Sequence, residues 1–281
     1  MKYLKIILLI SIILGGGCTK SSPPGRVTEE TAGTDIQKES STPTDSLPIQ
    51  EESIPSGVKR LIDAYPDLVL EYRDNLVIIN GEQITYDDGV KKSFIQRLDD
   101  CDIEDMFAID YDSSHKVDPG YLSDPGRGRC EKLFKAIYGH NAKEVAQNLV
   151  TVKWFGQEIP FTRVNGANQK LQAVADELAH RTELKKYFSH SSSFYWRKVR
   201  GSNRQSAHSY GIAIDINVDN SDYWRWSNPK KNELDKIEYK NRIPHEIVEV
   251  FEKYGFIWGG NWYHFDTMHF EYRPELLVSK D

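Results

Sequence analysis

The sequence is poor in cysteine, has no excess of basic residues and contains no apolar run long enough to cross a bilayer. Three of its 281 residues are cysteines, and 36 Lys and Arg residues are outnumbered by 42 Asp and Glu residues, for a formal net charge of -6. This acidic balance disfavours a nucleic-acid-binding protein. A spanning helix needs about 20 apolar residues, whereas the N-terminal apolar run covers only residues 6–14. With 11% aromatic residues and no internal repeat, the sequence indicates a globular protein with a substantial core.

The first 18 residues have the layout of a secretory signal. A basic start at Lys2 and Lys5 is followed by the apolar run, three glycines and Cys18. Small residues before a cysteine resemble the cleavage site of bacterial lipoproteins, although the apolar run ends one residue earlier than in most of them. The resemblance implies an exported lipoprotein, anchored to a bacterial membrane through Cys18 and facing the periplasm or the cell wall. An ordinary secreted protein is the alternative.

Export would leave Cys101 and Cys130 as the two remaining cysteines. An oxidising compartment permits them to pair. Two separate buried thiols fit the sequence equally well, because free cysteine is commonly a small core residue.

Composition divides the rest of the chain into three parts. Residues 19–57 are rich in Ser, Thr, Pro, Glu and Gly, which predicts a disordered tether. Residues 58–117 form an N-terminal appendage with a hairpin, because two β-like runs flank Asn80 and Gly81, a pair that suits tight turns. Residues 118–281 form the main domain.

Apolar residues at helical spacing predict three helices. Cys130, Leu133, Phe134 and Ile137 share one face of a short helix that ends at Gly139. Longer helices are predicted within residues 168–184 and 244–255. Because β-like segments lie between and after them, the predicted fold class is α+β.

The most informative stretch is residues 206–218. Its alternating aliphatic residues, which predict a strand with a buried face, are Ile212, Ile214, Ile216 and Val218. Asp215 lies on the opposite face of that strand. His208 lies seven positions earlier, an odd number, so an unbroken strand would send the two side chains to opposite faces. Gly211 permits a bend that turns His208 back toward Asp215.

A third element, residues 266–271, follows an aromatic-rich run and supplies His269 and Asp266. Two imidazoles and one carboxylate form a catalytic type of zinc site, which leaves a fourth position for water. The predicted zinc ligands are therefore His208, Asp215 and His269. Zinc lowers the pKa of a water molecule and polarises a scissile carbonyl group. Asp266, three residues before His269, is the predicted general base.

These residues carry a resemblance to the D-alanyl-D-alanine carboxypeptidase and L-alanyl-D-glutamate peptidase family. The shared signature is Ser-x-His-x-x-Gly-x-Ala-x-Asp followed by acid-x-x-His, and it is matched here by Ser206, His208, Gly211, Ala213, Asp215, Asp266 and His269. Many relatives have Glu where this chain has Asp266, whose shorter side chain must lie closer to the metal. The resemblance extends from about residue 118 to the C-terminus. It implies a small antiparallel sheet with flanking helices that holds one zinc ion, as in hedgehog-like folds.

The same resemblance implies a zinc metallopeptidase that hydrolyses peptidoglycan stem peptides, foremost a D-alanyl-D-alanine carboxypeptidase. An L-alanyl-D-glutamate endopeptidase, a peptidase with another target and an inactive zinc-fold protein that binds the cell wall are the alternatives. The family also uses an arginine upstream of the first ligand to stabilise the oxyanion or to hold the substrate. Arg197 is the candidate for this role, Arg200 and Arg204 are rivals, and a surface position resting on an aromatic ring is the alternative for Arg197.

The other histidines lack the spacing of metal ligands. His264 is predicted to lie in a loop or to support a ligand, and Glu271 to have a structural or supporting role. The histidines predicted at the surface are His115, His140, His180, His190 and His245.

Overall fold

The computed structural model describes residues 53–114 and 119–278. Residues 1–49 and residues 50–281 divide into two units, and all described residues belong to the second. The predicted signal sequence, the lipid attachment at Cys18, most of the predicted tether and His115 lie outside the described residues. In the described part, no helix has both the length and the apolar character needed to cross a membrane.

The N-terminal part consists of a helix and a three-stranded meander. Helix α1 (Ser56–Ala64) precedes strands β1 (Leu70–Arg73), β2 (Leu76–Ile79) and β3 (Glu82–Thr85), which pair antiparallel in that order. The predicted hairpin is confirmed, because Ile79 pairs with Glu82 around a turn at Asn80 and Gly81, both with positive φ. Helix α2 (Phe94–Asp99) follows.

The middle of the chain forms a second antiparallel pair between helices. Helices α3 (Glu131–Tyr138) and α4 (Ala142–Gln147) precede strands β4 (Leu149–Trp154) and β5 (Gln157–Thr162), and α5 (Ala167–Leu178) follows them. The short helix predicted to end at Gly139 is confirmed. The helix predicted within 168–184 ends at Leu178 and is followed by a separate 3-10 turn, Thr182–Tyr187.

The C-terminal part contains the third sheet. Its elements are β6 (Ala213–Asp215), α6 (Trp224–Ser227), α7 (His245–Lys253), β7 (Phe256–Trp258) and β8 (His269–Tyr272). The strand order is β6-β8-β7, with both pairs antiparallel. Helix α7 confirms the helix predicted within 244–255, and the small antiparallel sheets with helices confirm the α+β class.

One hydrophobic core joins the N-terminal part to the rest of the described chain. Its fully buried members include Val58 of α1, Val77 and Ile79 of β2, Phe161 of β5 and Phe270 of β8. Buried hydrogen bonds also connect the N-terminal part to the C-terminal part. Arg60 Nε donates to the Glu275 carbonyl over 2.9 Å, and the Tyr65 hydroxyl donates to Glu275 Oε2 over 2.9 Å. The segment predicted as an appendage therefore shares its core with the main domain.

Cys101 and Cys130 are both free thiols. Burial raises the pKa of each thiol, so neither is activated as a nucleophile.

Candidate metal centre

The third sheet brings Asp215 and His269 together. The two residues lie directly opposite each other in the register of β6 and β8. Side chains of such cross-strand pairs lie on the same face and within contact distance. His269 Nδ1 lies 3.1 Å from Asp215 Oδ1.

His208 reaches the same carboxylate from a 3-10 turn, Ala207–Tyr210, that precedes β6. Gly211 ends the turn with φ 67°, a left-handed conformation that glycine adopts without strain. The Cβ of a larger residue there would also lie 2.5 Å from Leu149 Cδ2. The bend predicted at Gly211 is thus confirmed, and it places His208 Nε2 3.2 Å from Asp215 Oδ1.

In each imidazole, the nitrogen that does not face Asp215 lies within hydrogen-bond distance of an oxygen atom of the protein. His208 Nδ1 lies 2.8 Å from the Ser193 carbonyl, and His269 Nε2 lies 3.3 Å from Glu271 Oε2. When those nitrogens carry the ring protons, His208 Nε2 and His269 Nδ1 are left with free lone pairs facing Asp215. Histidines that bind metals are held in the same way, because a carbonyl or carboxylate behind the ring fixes its tautomer.

Glu271 anchors His269 to a buried ionic network. Its carboxylate is fully buried and receives a fork of two hydrogen bonds from Arg129, with Nε 2.7 Å from Oε1 and Nη2 against Oε2. Arg273 Nη1 adds a third contact at 3.2 Å. Although burial opposes ionisation, Arg129, the hydrogen bond from His269 and Arg273 hold the pKa of Glu271 well below its usual range. The carboxylate behind His269 is therefore charged, as predicted for a supporting residue.

Asp266 lies one turn before His269. Its amide donates to the Gly259 carbonyl over 3.0 Å, and its carbonyl accepts from the His269 amide over 3.1 Å. Gly259 allows this close approach, because a Cβ there would lie 2.6 Å from the Asp266 carbonyl oxygen. The side-chain oxygen Oδ1 is buried and has no hydrogen-bond partner among the described residues. A buried oxygen left in this way is costly unless a ligand or water completes its hydrogen bonds.

The electrostatics of the centre favour a cation. Burial and the charge of Asp215 raise the pKa of Asp266 to about 7. Burial opposes the protonation of His269, but its hydrogen bonds to Asp215 and Glu271 raise its pKa to about 9. Despite its burial, Asp215 has a pKa far below its usual range because of His208 and His269. Positive charge at the shared oxygen of Asp215 is therefore strongly stabilised.

The donor set fits zinc. One ligand atom from each of His208, Asp215 and His269 lies within 4.8 Å of the other two. Two neutral imidazole nitrogens and one carboxylate oxygen are ligands that zinc prefers, and three protein ligands are typical of catalytic sites. The free acid oxygen of Asp266 beside the cluster is the group such a site needs for proton transfer.

Two other clusters of acidic residues in the described chain have the spacing of metal ligands, but members of both form ion pairs with a lysine. They are Asp87 with Asp88 and Asp102, and Asp102 with Glu104 and Asp105. Lys92 Nζ lies 2.7 Å from Asp88, 3.2 Å from Asp102 and 2.7 Å from Asp105. We assign Asp88, Asp102 and Asp105 to the ion-pair cluster of Lys92.

The metal centre opens into a cavity of about 460 Å³ with cationic walls. The basic residues that line it are Arg127, Arg129, Arg197, Lys198, Arg200 and Arg204, whereas its acidic residues are Asp215 and Asp266. Arg197 is exposed, and its backbone lies beside the turn that carries His208, because its amide donates to Ser209 Oγ and its carbonyl accepts from the Ser206 amide. The structure thus brings the predicted base, ligands and arginine to one cavity.

His264 also lines this cavity but is committed to structural contacts. Nδ1 lies 2.7 Å from Asp124 Oδ2, and Nε2 lies 2.8 Å from the Glu233 carbonyl. Neither nitrogen is free for a metal, and the ring lies in a turn, as the loop prediction had it. The remaining described histidines, at 140, 180, 190 and 245, are exposed as predicted.

The sequence did not point to Arg129 or to the carbonyl of Ser193. Arg129 lies 142 positions from its partner Glu271, and a backbone carbonyl has no signature in the sequence. Locally, the sequence indicates only that Arg129 lies close to a turn at residues 124–126.

Comparison with known proteins shows a family resemblance over the part of the chain that carries the candidate centre. A family model described as D-alanyl-D-alanine carboxypeptidase matches residues 200–272, a stretch that contains His208, Asp215, Asp266 and His269 and leaves out Arg197. The family resemblance predicted from the sequence is thereby confirmed over these residues. Neither a curated protein nor a solved structure matches the chain.

Proposed function

We propose that the chain is a zinc-dependent peptidase that hydrolyses the stem peptides of peptidoglycan, foremost as a D-alanyl-D-alanine carboxypeptidase. The observation that carries the proposal is the convergence of His208, Asp215 and His269, with a buried, unpartnered oxygen of Asp266 beside them. The family match supports the reaction class and the D-Ala-D-Ala type of substrate.

In this proposal the zinc ligands are His208 Nε2, His269 Nδ1 and a carboxylate oxygen of Asp215. Bound zinc would polarise the scissile carbonyl group and lower the pKa of a water molecule. The protein fixes the ligands before the metal arrives, because Ser193 and Glu271 hold the two rings from behind.

Asp266 is the proposed general base and acid. Its Oδ1 takes a proton from the attacking water and passes it to the nitrogen of the leaving amine, so that the carboxylate is regenerated at the end of the reaction. A pKa of about 7 in the metal-free protein shows how poorly this site solvates a second negative charge beside Asp215. A nearby cation would lower that pKa and keep the base ionised.

Arg197 is the proposed partner of the charge that develops on the carbonyl oxygen. Its guanidinium lines the cavity, and its positive charge is among the influences on the pKa of Asp266. A cation fixed near the developing oxyanion stabilises the transition state more than the ground state. Because the side chain is exposed, we expect the substrate to complete its surroundings.

Export and anchoring through Cys18 are proposed together with this function. A tether that begins at residue 19 and ends before helix α1 would let the peptidase reach peptidoglycan from the membrane surface; the predicted end at residue 57 was wrong, because Ser56 and Gly57 belong to that helix.

The test compares wild-type full-length protein with Asp266→Ala on purified muropeptides, with the products identified by mass. We expect wild type to release terminal D-Ala, and Asp266→Ala to lose about 10²–10⁴-fold in rate while it still binds zinc. Asp63→Ala is the matched control, since Asp63 is exposed on α1 and does not line the cavity.

The products distinguish the remaining possibilities. Cleavage inside the stem peptide would make the chain an endopeptidase of the same family. Stoichiometric zinc without cleavage of any muropeptide would reject the enzyme in favour of a cell-wall-binding protein or of a peptidase with another target.

A further inference from the structure

A second, larger cavity of about 730 Å³ adjoins the metal centre. Arg127, Arg129 and Arg204 line both cavities, so the two spaces share a wall. The other walls include residues 98–102, which span the C-terminal end of helix α2, and the loop 201–205. Much of this surface lies outside residues 200–272, so the family match does not account for it.

The three shared arginines differ in how their charge is balanced. Arg127 Nη1 lies 2.8 Å from Asp124 and 2.7 Å from Glu233, and Arg129 is held by Glu271. Arg204 forms a looser ion pair, with Nη1 3.6 Å from Asp99, whose side chain is 57% exposed, while its own side chain is 20% exposed. Its Nε donates to the neutral Ser202 Oγ over 3.3 Å. Burial and the charge of Arg127 lower the pKa of Arg204. A mostly buried guanidinium whose charge is balanced by one loose ion pair favours the binding of an anion.

Tyr210 provides a second unsatisfied group in the same cavity. Its side chain is 1% exposed, it lines the larger cavity, and its hydroxyl has no hydrogen-bond partner among the described residues. Its ring packs at 5.6 Å from Phe134 and 6.1 Å from Tyr138, which holds the hydroxyl in place. A ligand in the cavity would supply the missing hydrogen bond.

The remaining charges of the cavity favour a peptide over a polyanion. Besides its basic residues, the cavity is lined by Asp88, Asp99, Asp100, Asp102, Glu131 and Glu233. These acids would repel a phosphate-rich ligand. A peptide with a carboxylate, an amino group and several amides presents both charges and both kinds of hydrogen-bonding group.

We propose that this larger cavity binds the part of an acidic peptide substrate that lies beyond the bond to be cut, with a substrate carboxylate on Arg204 and a hydrogen bond from Tyr210. The inference rests on the proposed peptidase function and names Arg204 as a substrate-binding residue of that site. The carboxylate is either the free C-terminus or a side-chain carboxyl group of the peptide.

Calorimetry on full-length, zinc-loaded Asp266→Asn protein tests this, because removal of the proposed base should stop turnover while the walls of the cavity are kept. The probe is a stem pentapeptide that ends in D-Ala-D-Ala, together with two versions, one amidated at the C-terminus and one amidated at the D-Glu carboxyl group. Adding Arg204→Gln should weaken binding of the free peptide about 10–100-fold, the range of a charge-assisted hydrogen bond. The control Arg73→Gln should change it less than about threefold, because Arg73 is exposed on β1 and lines neither cavity.

Amidation identifies the carboxylate. If amidation of one carboxyl group weakens binding to the parent protein as much as Arg204→Gln weakens binding of the free peptide, that carboxyl group is the candidate partner of Arg204. Arg204→Gln should then cause no further loss of affinity for that amidated peptide. Tyr210→Phe should weaken binding several-fold without a loss of thermal stability, since the ring packing is kept. Equal affinity of the parent and Arg204→Gln for the free peptide would overturn the proposal.

The two proposals fail separately. If wild type cleaves the pentapeptide and binding is independent of Arg204, only the cavity assignment is wrong. If wild type cleaves nothing while binding depends on Arg204, the assignment stands and the peptidase function is wrong.

Discussion

At the scale of single residues, Glu271 connects the candidate metal centre to the charged side chains that lie behind His269. Its carboxylate contacts His269 on one side and Arg129 and Arg273 on the other. Residues that hold a metal-binding histidine in this way typically account for 10–100-fold in metal affinity. We therefore expect Glu271 to contribute measurably to zinc affinity although it is not a ligand.

We predict that Glu271→Gln weakens zinc binding about 10–100-fold, as measured by competition with a chromophoric chelator. Glu275→Gln is the matched control, because Glu275 is equally buried and contacts Arg273 but not His269. Each substitution should also cost stability, up to about 3–5 kcal/mol for a broken buried ion pair. Equal zinc affinity in the two variants would show that Glu271 does not act through His269.

The pKa of Asp266 gives a prediction for stability against pH. The folded-state pKa of about 7 lies above the ordinary aspartate value of 3.8, so the folded protein binds the proton more tightly than the unfolded chain does. The free energy of unfolding of the zinc-free protein therefore falls as the pH rises from about 4 to 7 on account of this group. Burial and Asp215 cause the shift, and the charges that oppose it are His269, His208 and Arg197.

Asp266→Asn removes this titration. In zinc-free protein, we expect the variant to be more stable than wild type at pH 8 and to lose that advantage by pH 4, as followed by thermal unfolding at both values. A constant difference between the two proteins across this range would mean that Asp266 ionises normally in the folded state.

At the scale of elements, the turn before β6 decides whether His208 meets Asp215. Gly211→Ala introduces a side chain at φ 67°, which costs about 1–2 kcal/mol, and forces its Cβ against Leu149. Overpacking adds about 1–3 kcal/mol. We predict a loss of stability from both causes, together with weaker zinc binding, measured by chemical denaturation and chelator competition.

Gly156→Ala separates the two causes. Gly156 has φ 81°, and an added Cβ would have no atom within 4 Å. This control should lose only the conformational cost and should bind zinc as wild type does. Identical losses in the two variants would contradict the role assigned to the contact with Leu149.

The same elements show which features of the candidate site could be predicted from the sequence. Alternation of apolar residues correctly predicted buried Ile214 beside Asp215, and the odd spacing to His208 was enough to require a bend at Gly211. The same alternation was wrong for Val218, which is 46% exposed in a 3-10 turn because the strand ends at Asp215. The two correct inferences depend on local geometry, which spacing along the chain reveals. The spacing and the family signature predicted that Asp215 and His269, 54 positions apart, bind one metal ion, but the pairing of β6 with β8 that brings them together was not predicted.

Contacts between segments that are distant in the sequence could not be predicted in this way. The fork between Arg129 and Glu271 and the loose partner of Arg204 depend on how distant segments pack. The second cavity is likewise formed by segments from three parts of the sequence. Neither periodicity nor motif spacing carries this information.

At the scale of the whole molecule, the N-terminal part is built into the same core as the metal centre. Ile79 of β2 is fully buried in that core, and the six tryptophans of the chain all lie after residue 150. Tryptophan fluorescence therefore reports on the main domain. A change confined to β2 tests whether the two parts unfold together.

We predict that Ile79→Ala lowers the free energy of unfolding reported by tryptophan fluorescence by about 2–5 kcal/mol, the cost of a large buried truncation. Glu71→Ala, at an exposed position of β1, is the control and should leave the transition unchanged. If Ile79→Ala leaves the fluorescence transition in place, the N-terminal part is an independent unit.

We propose that one zinc ion at His208, Asp215 and His269 makes this chain a peptidase. The most direct test is to titrate zinc into metal-free, full-length protein while release of D-Ala from a stem pentapeptide is followed by mass spectrometry. We expect activity that rises in proportion to zinc and levels off at one ion per chain, and no such rise in His208→Ala. Full activity in the metal-free protein, or one bound zinc without any cleavage, would contradict it.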